Sequence, residues 1–225
     1  ASRQNIDDLF ESFKNLEIGT LVSRNPQNQD EYRVGSQSAT ILTVIGDITQ
    51  ESWAVGKPAQ DTGTFFIRNT QSETVYLVKG TLIDLSQKSL NDWRDKTVLT
   101  LDKTKLKKIV VSGNKNFTFS EKDNIWKLIS PGQEKDITAT DSSTLIESLV
   151  NIQATAFTDE TEKLEFKNSL KTIITFYKDL DEKLTELNIV MKDSDTWVQL
   201  SGQAEVYKVS TSVFAPLLNS SDNLK

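Results

Sequence analysis

Carboxylate side chains are the reactive groups that the sequence offers most densely. They gather in three stretches, TDETEKLEF at 158–166, KDLDEKLTE at 178–186 and KDSDTW at 192–197. Such carboxylates could bind Ca²⁺ or act together as a general acid and a general base. None of these stretches has the alternating ligands and the glycine of a calcium loop, and mixed Lys and Asp in hairpin turns is typical of a solvated face. We therefore interpret these carboxylates as surface charge.

Tryptophan is the second residue type that could form a site. An aromatic cleft for a carbohydrate could be built from Trp53, Trp93, Trp126 and Trp197. Tryptophan at strand and helix positions more often packs in a core or at its edge, because the large ring buries much apolar surface. Packing is our interpretation of all four, and the carbohydrate cleft stays open as an alternative.

Short motifs in the sequence were also weighed as sites. The segment VGKPA from Val55 resembles a phosphate-binding loop, but the upstream glycine is missing and Pro58 stands where Ser or Thr would bind magnesium. The triplets at Asn116 (NFT) and Asn219 (NSS) fit the glycosylation pattern, which also arises by chance. The sequence therefore predicts no catalytic residue, no cofactor and no metal-binding residue, and we expect that the protein is not an enzyme.

The residue inventory narrows the chemistry further. The 225 residues include no histidine and no cysteine, which excludes disulfides, thiolate nucleophiles, imidazole bases and the most frequent zinc ligands. The formal net charge of -6 disfavours a phosphate backbone, so nucleic acid is not an expected partner. No apolar run approaches the roughly 18 residues of a membrane helix, and 36% hydrophobic residues suffice for packed cores.

An internal repeat organises the chain. The stretch ETVYLVKGTLIDLSQKSLNDWRDK at 73–96 resembles AEVYKVSTSVFAPLLNSSDNLK at 204–225, and further similar blocks precede each of them. Four blocks in the same order are hard to obtain by chance. The aligned pairs are Leu9 with Leu145, Thr40 with Thr172, Tyr76 with Tyr207, and Lys96 with Lys225.

Each copy of the repeat predicts the same series of elements. An amphipathic helix comes first, with apolar residues at helical spacing at Ile6, Leu9, Phe10, Phe13 and Leu16 and again at Leu145, Leu149 and Ile152. Strands rich in Val, Ile, Thr, Phe and Tyr follow, near 18–23, 39–46, 52–56, 64–68 and 74–79, and near 154–158, 171–177, 185–192, 196–200 and 205–209. A short helix is then expected after Thr81 or Thr211, either of which can cap it.

The predicted fold is α+β, a tandem repeat of a helix plus a largely antiparallel twisted sheet, joined by a three-stranded meander. The predicted domains are a first repeat at 1–96, a connecting meander at 97–141 and a second repeat at 142–225. The strands within 106–129 alternate apolar and polar residues, so we expect them to pair with the sheet of one copy or to bridge both, with Trp126 largely buried. Since this meander precedes the helix of the second copy, an earlier meander is expected before residue 1.

The residues from Gly63 to Pro131 resemble the bacterial domain of unknown function 4340 family. The resemblance rests on Tyr76, Trp93-Arg94-Asp95-Lys96, Leu101-Asp102, Trp126, Leu128 and Pro131. It implies a bacterial, extracytoplasmic envelope protein, tethered by an N-terminal membrane helix and often encoded beside an auxiliary ABC-transport system of the gliding-motility type. It implies protein partners, ABC-transport auxiliary subunits among them, and no enzymatic activity. The second copy departs from the pattern, with SSDNLK in place of NDWRDK.

Three functional hypotheses follow. The first is a non-catalytic extracytoplasmic protein-interaction module, accessory to an envelope ABC-transport or motility-type assembly. The second is a carrier or sensor of a small lipid or glycan, which requires a pocket of roughly 300 Å³ or more between sheet and helices. The third is an acid/base hydrolase, which requires two carboxylates facing each other within about 5 to 10 Å.

Overall fold

Antiparallel strand pairing organises both halves of the chain, which separate into the units Ala1–Asp95 and Lys96–Lys225. The combination of helices with antiparallel sheets confirms the predicted α+β class. The computed structural model describes residues 1–179, 182–193 and 195–220, with residues 219 and 220 described by their backbone alone. Over these described ranges, no helix has both the length and the apolar character needed to cross a membrane.

The first unit is a five-stranded sheet in the order β1-β5-β4-β3-β2. One face carries the helices α1 and α2, which pack over Phe65, Ile67 and Val78. The elements in chain order are α1 (Arg3–Lys14), β1 (Glu17–Ser23), a 3-10 turn (Pro26–Asn28), β2 (Thr40–Ile45), β3 (Gln50–Pro58), β4 (Thr64–Asn69), β5 (Val75–Lys79), α2 (Leu82–Ser86) and α3 (Leu90–Trp93).

The opposite face of this sheet is covered by the connection between β1 and β2. A buried arginine on β4 fixes it: Arg68 Nε and Nη2 donate to the Val34 carbonyl oxygen at 3.2 and 3.0 Å. Its Nη1 donates to the carbonyls of Asn69, Thr70 and Ser72 at 3.3, 3.3 and 2.9 Å. One side chain therefore joins the connection to the turn that follows β4, and these bonds satisfy a charge that burial would otherwise make costly.

Residues 55–58 of the segment VGKPA lie in strand β3, where the same connection passes over the sheet. A Cβ at Gly56 would lie 2.3 Å from the Tyr32 carbonyl oxygen, and the Lys57 amide donates to that oxygen at 3.1 Å. The glycine is therefore required for close backbone approach. This geometry gives the motif a structural role in packing the connection onto the strand.

The second unit contains a nine-stranded sheet in the order β10-β9-β8-β7-β13-β14-β15-β16-β12 and a separate pair, β6 with β11. Its elements in chain order are β6 (Thr97–Thr100), β7 (Lys108–Ser112), β8 (Phe117–Lys122), β9 (Ile125–Ser130), β10 (Gln133–Asp136), α4 (Ala139–Val150), β11 (Asn151–Gln153), β12 (Ala156–Phe157), α5 (Glu160–Asn168), β13 (Thr172–Tyr177), β14 (Lys183–Met191), β15 (Asp195–Leu200), β16 (Tyr207–Ser210), a 3-10 turn (Thr211–Val213) and α6 (Ala215–Ser220).

The meander strands β7, β8 and β9 join this sheet through antiparallel pairing of β7 with β13. Their apolar side chains share one core with α4, in which Phe119 is fully buried and Trp126 is 8% exposed. The burial predicted for Trp126 is therefore confirmed. The structure adds a fourth strand, β10, after a tight turn in which Gly132 adopts a φ of +81°. Its polar sequence, QEKD, gave no strand signal.

The two sheets have a common neighbour order. In the first unit β1 lies beside β5, and β4, β3 and β2 follow; in the second unit β12 lies beside β16, and β15, β14 and β13 follow. Three of the four residue pairs aligned in the sequence occupy corresponding elements: Leu9 in α1 and Leu145 in α4, Thr40 at the start of β2 and Thr172 at the start of β13, Tyr76 in β5 and Tyr207 in β16. Lys225, of the fourth pair, lies outside the described residues.

Helices α1 and α4 and most of the strands lie within a few residues of their predicted positions, and two helical features differ. Helix α5 was not expected, although Asp159 and Glu162 form a capping box at its start, a signal that the sequence contains. The prediction that Thr211 caps the last helix is wrong, because Ser210 caps a 3-10 turn there and α6 begins at Ala215.

Replacing Trp126 by alanine should lower the free energy of unfolding of the second unit by about 3–5 kcal/mol, the usual range for removing a large buried aromatic side chain. Urea titration followed by circular dichroism measures the change. Ile125→Ala is the matched control, because Ile125 is the preceding residue of β9 and is 46% exposed. Equal effects of the two substitutions would contradict the assignment of Trp126 to the core.

Replacing Arg68 by methionine should destabilise the first unit by about 2–4 kcal/mol, since one buried and three part-buried carbonyl oxygens lose a charged donor while the apolar volume is largely kept. Chemical denaturation of the full chain tests this. Arg24→Met in the same connection is the control, because Arg24 is exposed. A stability equal to that of the control would show that Arg68 does not hold the connection.

Candidate functional site

The tryptophans of each unit pack at separate positions. Trp126 belongs to the core beneath α4, whereas Trp197 packs with Phe166, Val190 and Val206 under α5. In the first unit, Trp53 lies on β3 against the helix-covered core, and Trp93 ends α3 with Lys88 Nζ 5.6 Å from its ring centroid. The packing interpretation is thus the one that the positions of these rings support.

The carboxylates of the stretch 158–166 are used to fasten α5 to the sheet. Lys208 Nζ lies 2.5 Å from Glu162 Oε1, and Lys192 pairs with Glu165. These pairs line an open, charged groove of about 620 Å³ that also includes Asp193 and Asp195. Among the described residues no group of three or more side chains could hold a metal ion. Leu180, Asp181 and Ser194 of the other two acidic stretches lie outside the described residues.

A second groove, of about 300 Å³, lies between α4 and the β8–β9 hairpin. Its apolar wall includes Ile125, Trp126 and Ile146. Two serines of α4 border it, but Ser142 Oγ donates to the Ala139 carbonyl at 3.0 Å and Ser143 Oγ donates to Glu147 at 3.2 Å. The hydroxyl protons are thus directed within the helix, which weakens this groove as a site for a polar ligand.

The glycosylation triplets fall at different kinds of position. The Asn116 side-chain oxygen accepts a hydrogen bond from the Gly113 amide at 3.1 Å, within the turn between β7 and β8. Asn219 lies near the end of α6, and its side chain is outside the described part of the chain. Asn116 therefore has a structural role as a turn residue.

The feature that stands out is the outer strand of the first sheet, β2. Its sequence, TILTVI, contains no charge and no proline. Ile45 is 74% exposed, and Ile41 and Val44 are 43% and 39% exposed. Ile48 in the following turn is 96% exposed. We call this set, Thr40–Ile45 with Ile48, the β2 edge. Exposed apolar strands with unpaired backbone groups are templates for another strand.

The other outer strands of the two large sheets carry features that discourage pairing. Strand β1 is interrupted by two register shifts against β5, β10 is exposed and polar throughout, and β12 has only two residues. Bulges, polar side chains and short length are recognised means of protecting a sheet edge. By contrast, the register of β2 with β3 runs unbroken from Thr40 to Ile45. The β2 edge is therefore regular as well as apolar.

Backbone geometry gives the direction of the free hydrogen-bonding groups on β2. The Gly46 amide donates to the Thr49 carbonyl at 2.8 Å, in the register that pairs β2 with β3. Because antiparallel strands alternate between bonded and non-bonded pairs, the N–H and C=O groups of Ile41, Thr43 and Ile45 point away from β3. Three successive outward positions are thus presented on the open side of the sheet.

The corresponding strand in the second unit is paired on both sides. Strand β13 bonds to β14 on one side and to β7 on the other, with Thr175 opposite Val110 and Phe176 opposite Ile109. Sequence reasoning placed a strand at 39–46 but did not recognise it as an outer strand. The alignment of Thr40 with Thr172, read together with the position of the meander, was the signal that could have found it.

Strand β7 is fastened to β8 by an ion pair between Lys107 and Glu121. Glu121 Oε1 also accepts from the Asn124 amide at 3.0 Å. The hydrogen bond from Lys107, reinforced by the Asn124 amide, holds the pKa of the Glu121 carboxyl below its ordinary value of 4.5, against the opposing effect of burial. This charged pair positions the strand that covers β13.

These features define an α+β protein whose first antiparallel sheet presents an unprotected edge strand. The chain belongs to the family described as Domain of unknown function (DUF4340), whose sequence model matches residues 1–172. The match confirms the family resemblance of the residues from Gly63 to Pro131, and it extends through the first unit and as far as the first residue of β13. No curated protein and no solved structure matches the chain.

The pKa of Glu121 predicts a pH effect. Because the folded pKa is depressed, the carboxylate contributes stability above pH 4.5, and this contribution is lost as the pH falls through the folded value. Glu121→Gln should therefore lose less stability than the wild type between about pH 5 and pH 3. Thermal unfolding across this range measures the slope, and Glu147→Gln on α4 controls for the loss of one acidic side chain. A Glu121→Gln slope as steep as that of the wild type would contradict the role of the pair.

Proposed function

We propose that the protein is a non-catalytic module that binds protein partners at the β2 edge. The observation that carries the proposal is the exposure of a regular, uncharged edge strand in the first unit, at a position that is paired with β7 in the second. Strand addition at such an edge supplies main-chain hydrogen bonds for affinity and alternating side-chain contacts for specificity.

The proposal includes the tandem repeat predicted from the sequence. The common neighbour order of the two sheets supports it, as do the corresponding positions of the aligned residues in α1 and α4, β2 and β13, and β5 and β16. A duplicated helix-plus-sheet unit gives two related sheets, one of which keeps an open edge. After duplication and divergence, the two copies differ at this sheet edge. In the second copy the meander pairs with β13, and in the first copy the edge of β2 is available for a partner.

The proposed setting is the bacterial cell envelope, on the extracytoplasmic side, with the full-length protein tethered by an N-terminal membrane helix. We propose that its partners are proteins of an ABC-transport or motility-type assembly. What the family resemblance implies supports this setting. The alternative is a small-ligand carrier, with the ligand in the groove between α4 and the β8–β9 hairpin. The two serine hydroxyls that border this groove already donate to groups of α4, which favours the β2 edge over the groove.

Photo-crosslinking in the native bacterium tests the proposed function. A p-benzoylphenylalanine residue at position 45, on the β2 edge, should give a discrete crosslinked product with an envelope protein. The same residue at position 135 should not, because Lys135 lies on β10, the exposed polar outer strand of the other large sheet. Mass spectrometry of the product identifies the partner, and crosslinks to cytoplasmic proteins alone would contradict the proposal.

A further inference from the structure

We infer that the partner protein occupies the β2 edge with an antiparallel β-strand that has the side-chain pattern of β7. This inference deepens the proposed function, since it gives the chemistry of what binds at the same edge. The second unit supplies the template, because β7 occupies the matching position beside β13.

The register of the occupant follows from that template. Thr43 corresponds to Thr175, which faces Val110, and Val44 corresponds to Phe176, which faces Ile109. Leu42 and Val44 lie on the face that α1 and α2 cover, since Leu42 pairs with Trp53 in that core. The incoming strand should therefore present apolar side chains at alternate positions next to Leu42 and Val44, as β7 presents Val111 and Ile109 in the second unit.

Helix α1 shows that the first unit lacks the cover which the second unit has. In α4, Leu145 and Leu149 are 1% and 0% exposed beneath the meander. Their counterparts Leu9 and Phe13 are only partly buried, and Phe10, the counterpart of the partly buried Ile146, is 58% exposed. A strand at the β2 edge with further strands beyond it would cover this side of α1, as β9 does for α4.

Charge at the end of β2 indicates the register in which the incoming strand pairs. Asp47 and Glu51 are both exposed on the β2–β3 hairpin. In the second unit, the strand beside β13 begins with Lys108, opposite Tyr177, and Tyr177 corresponds to Ile45. A basic residue at the start of the occupant would then lie near the two carboxylates, which favours one antiparallel register over its neighbours.

A peptide of residues 106–130 serves as the probe, because it contains β7, β8 and β9 of this chain. Added to the full chain, it should slow amide hydrogen exchange of Ile41, Thr43 and Ile45 by at least about tenfold and shift the NMR signals of the Phe10 ring. In the peptide, Val110→Pro should abolish this. The Glu121 amide donates to the Lys107 carbonyl, so alternation directs the Val110 amide away from β8 and toward the docking edge.

The protein variant Thr43→Pro should weaken peptide binding by at least about tenfold, because it removes an outward donor and leaves the main-chain bonds of β2 to β3 in place, while the side-chain bond between Thr43 and Ser52 is lost. Val44→Lys, which places a charge beside the apolar side chains of the occupant, is a second variant whose effect does not depend on a proline. Binding of the peptide to both variants with the wild-type affinity, or peptide binding without protection of the amides of Ile41, Thr43 and Ile45, would overturn the inference. A concentration-dependent dimer that protects these amides without peptide would also overturn it, in favour of a second copy as the occupant.

The crosslink from position 45 separates failure of this inference from failure of the proposed function. A product with another envelope protein, together with absence of peptide binding, would retain the proposed function and overturn the strand inference. A product confined to the protein's own polypeptide would contradict both, because each requires a partner protein at this edge.

Discussion

The pairing of β7 with β13 is the interaction on which the second unit depends. Through it, a meander that would otherwise bury little becomes part of one nine-stranded sheet, and its aromatic residues reach the core under α4. The main-chain bonds set the register, and the register decides which side chains face the helix, because a shift by one residue would turn every side chain to the other face. Val111, Ile109, Phe119 and Trp126 are buried in that core together with Leu145 and Leu149 of α4.

The first unit is held differently. Its sheet has five strands, and the face opposite the helices is closed by an irregular connection that depends on Arg68 and on the close approach at Gly56. A buried guanidinium can replace apolar cover only if its donors are used, and here the hydrogen bonds to four carbonyl groups use them. That arrangement closes one face but adds nothing at β2, where Val44 and Ile45 remain exposed.

Much of this architecture could be predicted from the sequence, since the period of apolar residues reports directly which faces are buried. Helices α1 and α4, most of the strands and the burial of Trp126 follow from periodicity. Strand β10 could not be predicted, because its four polar residues form a strand only through main-chain bonds to β9. Helix α5 has a weak apolar stripe and is held partly by ion pairs, so its capping box was the only strong local signal.

The candidate site could not be predicted from the sequence for a related reason. Propensity indicates that TILTVI forms a strand, but whether a strand is central or outermost depends on which other strands lie beside it, which is a property of the whole sheet. Most of the candidate sites in the sequence depend on side-chain chemistry, whereas the β2 edge offers backbone N–H and C=O groups, which every residue except proline carries in full. Only the structure shows where those groups are left open.

The outer strands of the two large sheets differ in how they are protected against pairing with another strand. In each of three cases a separate device discourages pairing: irregular register in β1, polar residues in β10 and short length in β12. A protein that protects those edges has no physical need to leave β2 regular, uncharged and rich in isoleucine, since one lysine there would suffice as protection. An unprotected edge of this kind is a template for pairing with another strand. The composition of β2 is therefore the feature on which the proposed interface depends.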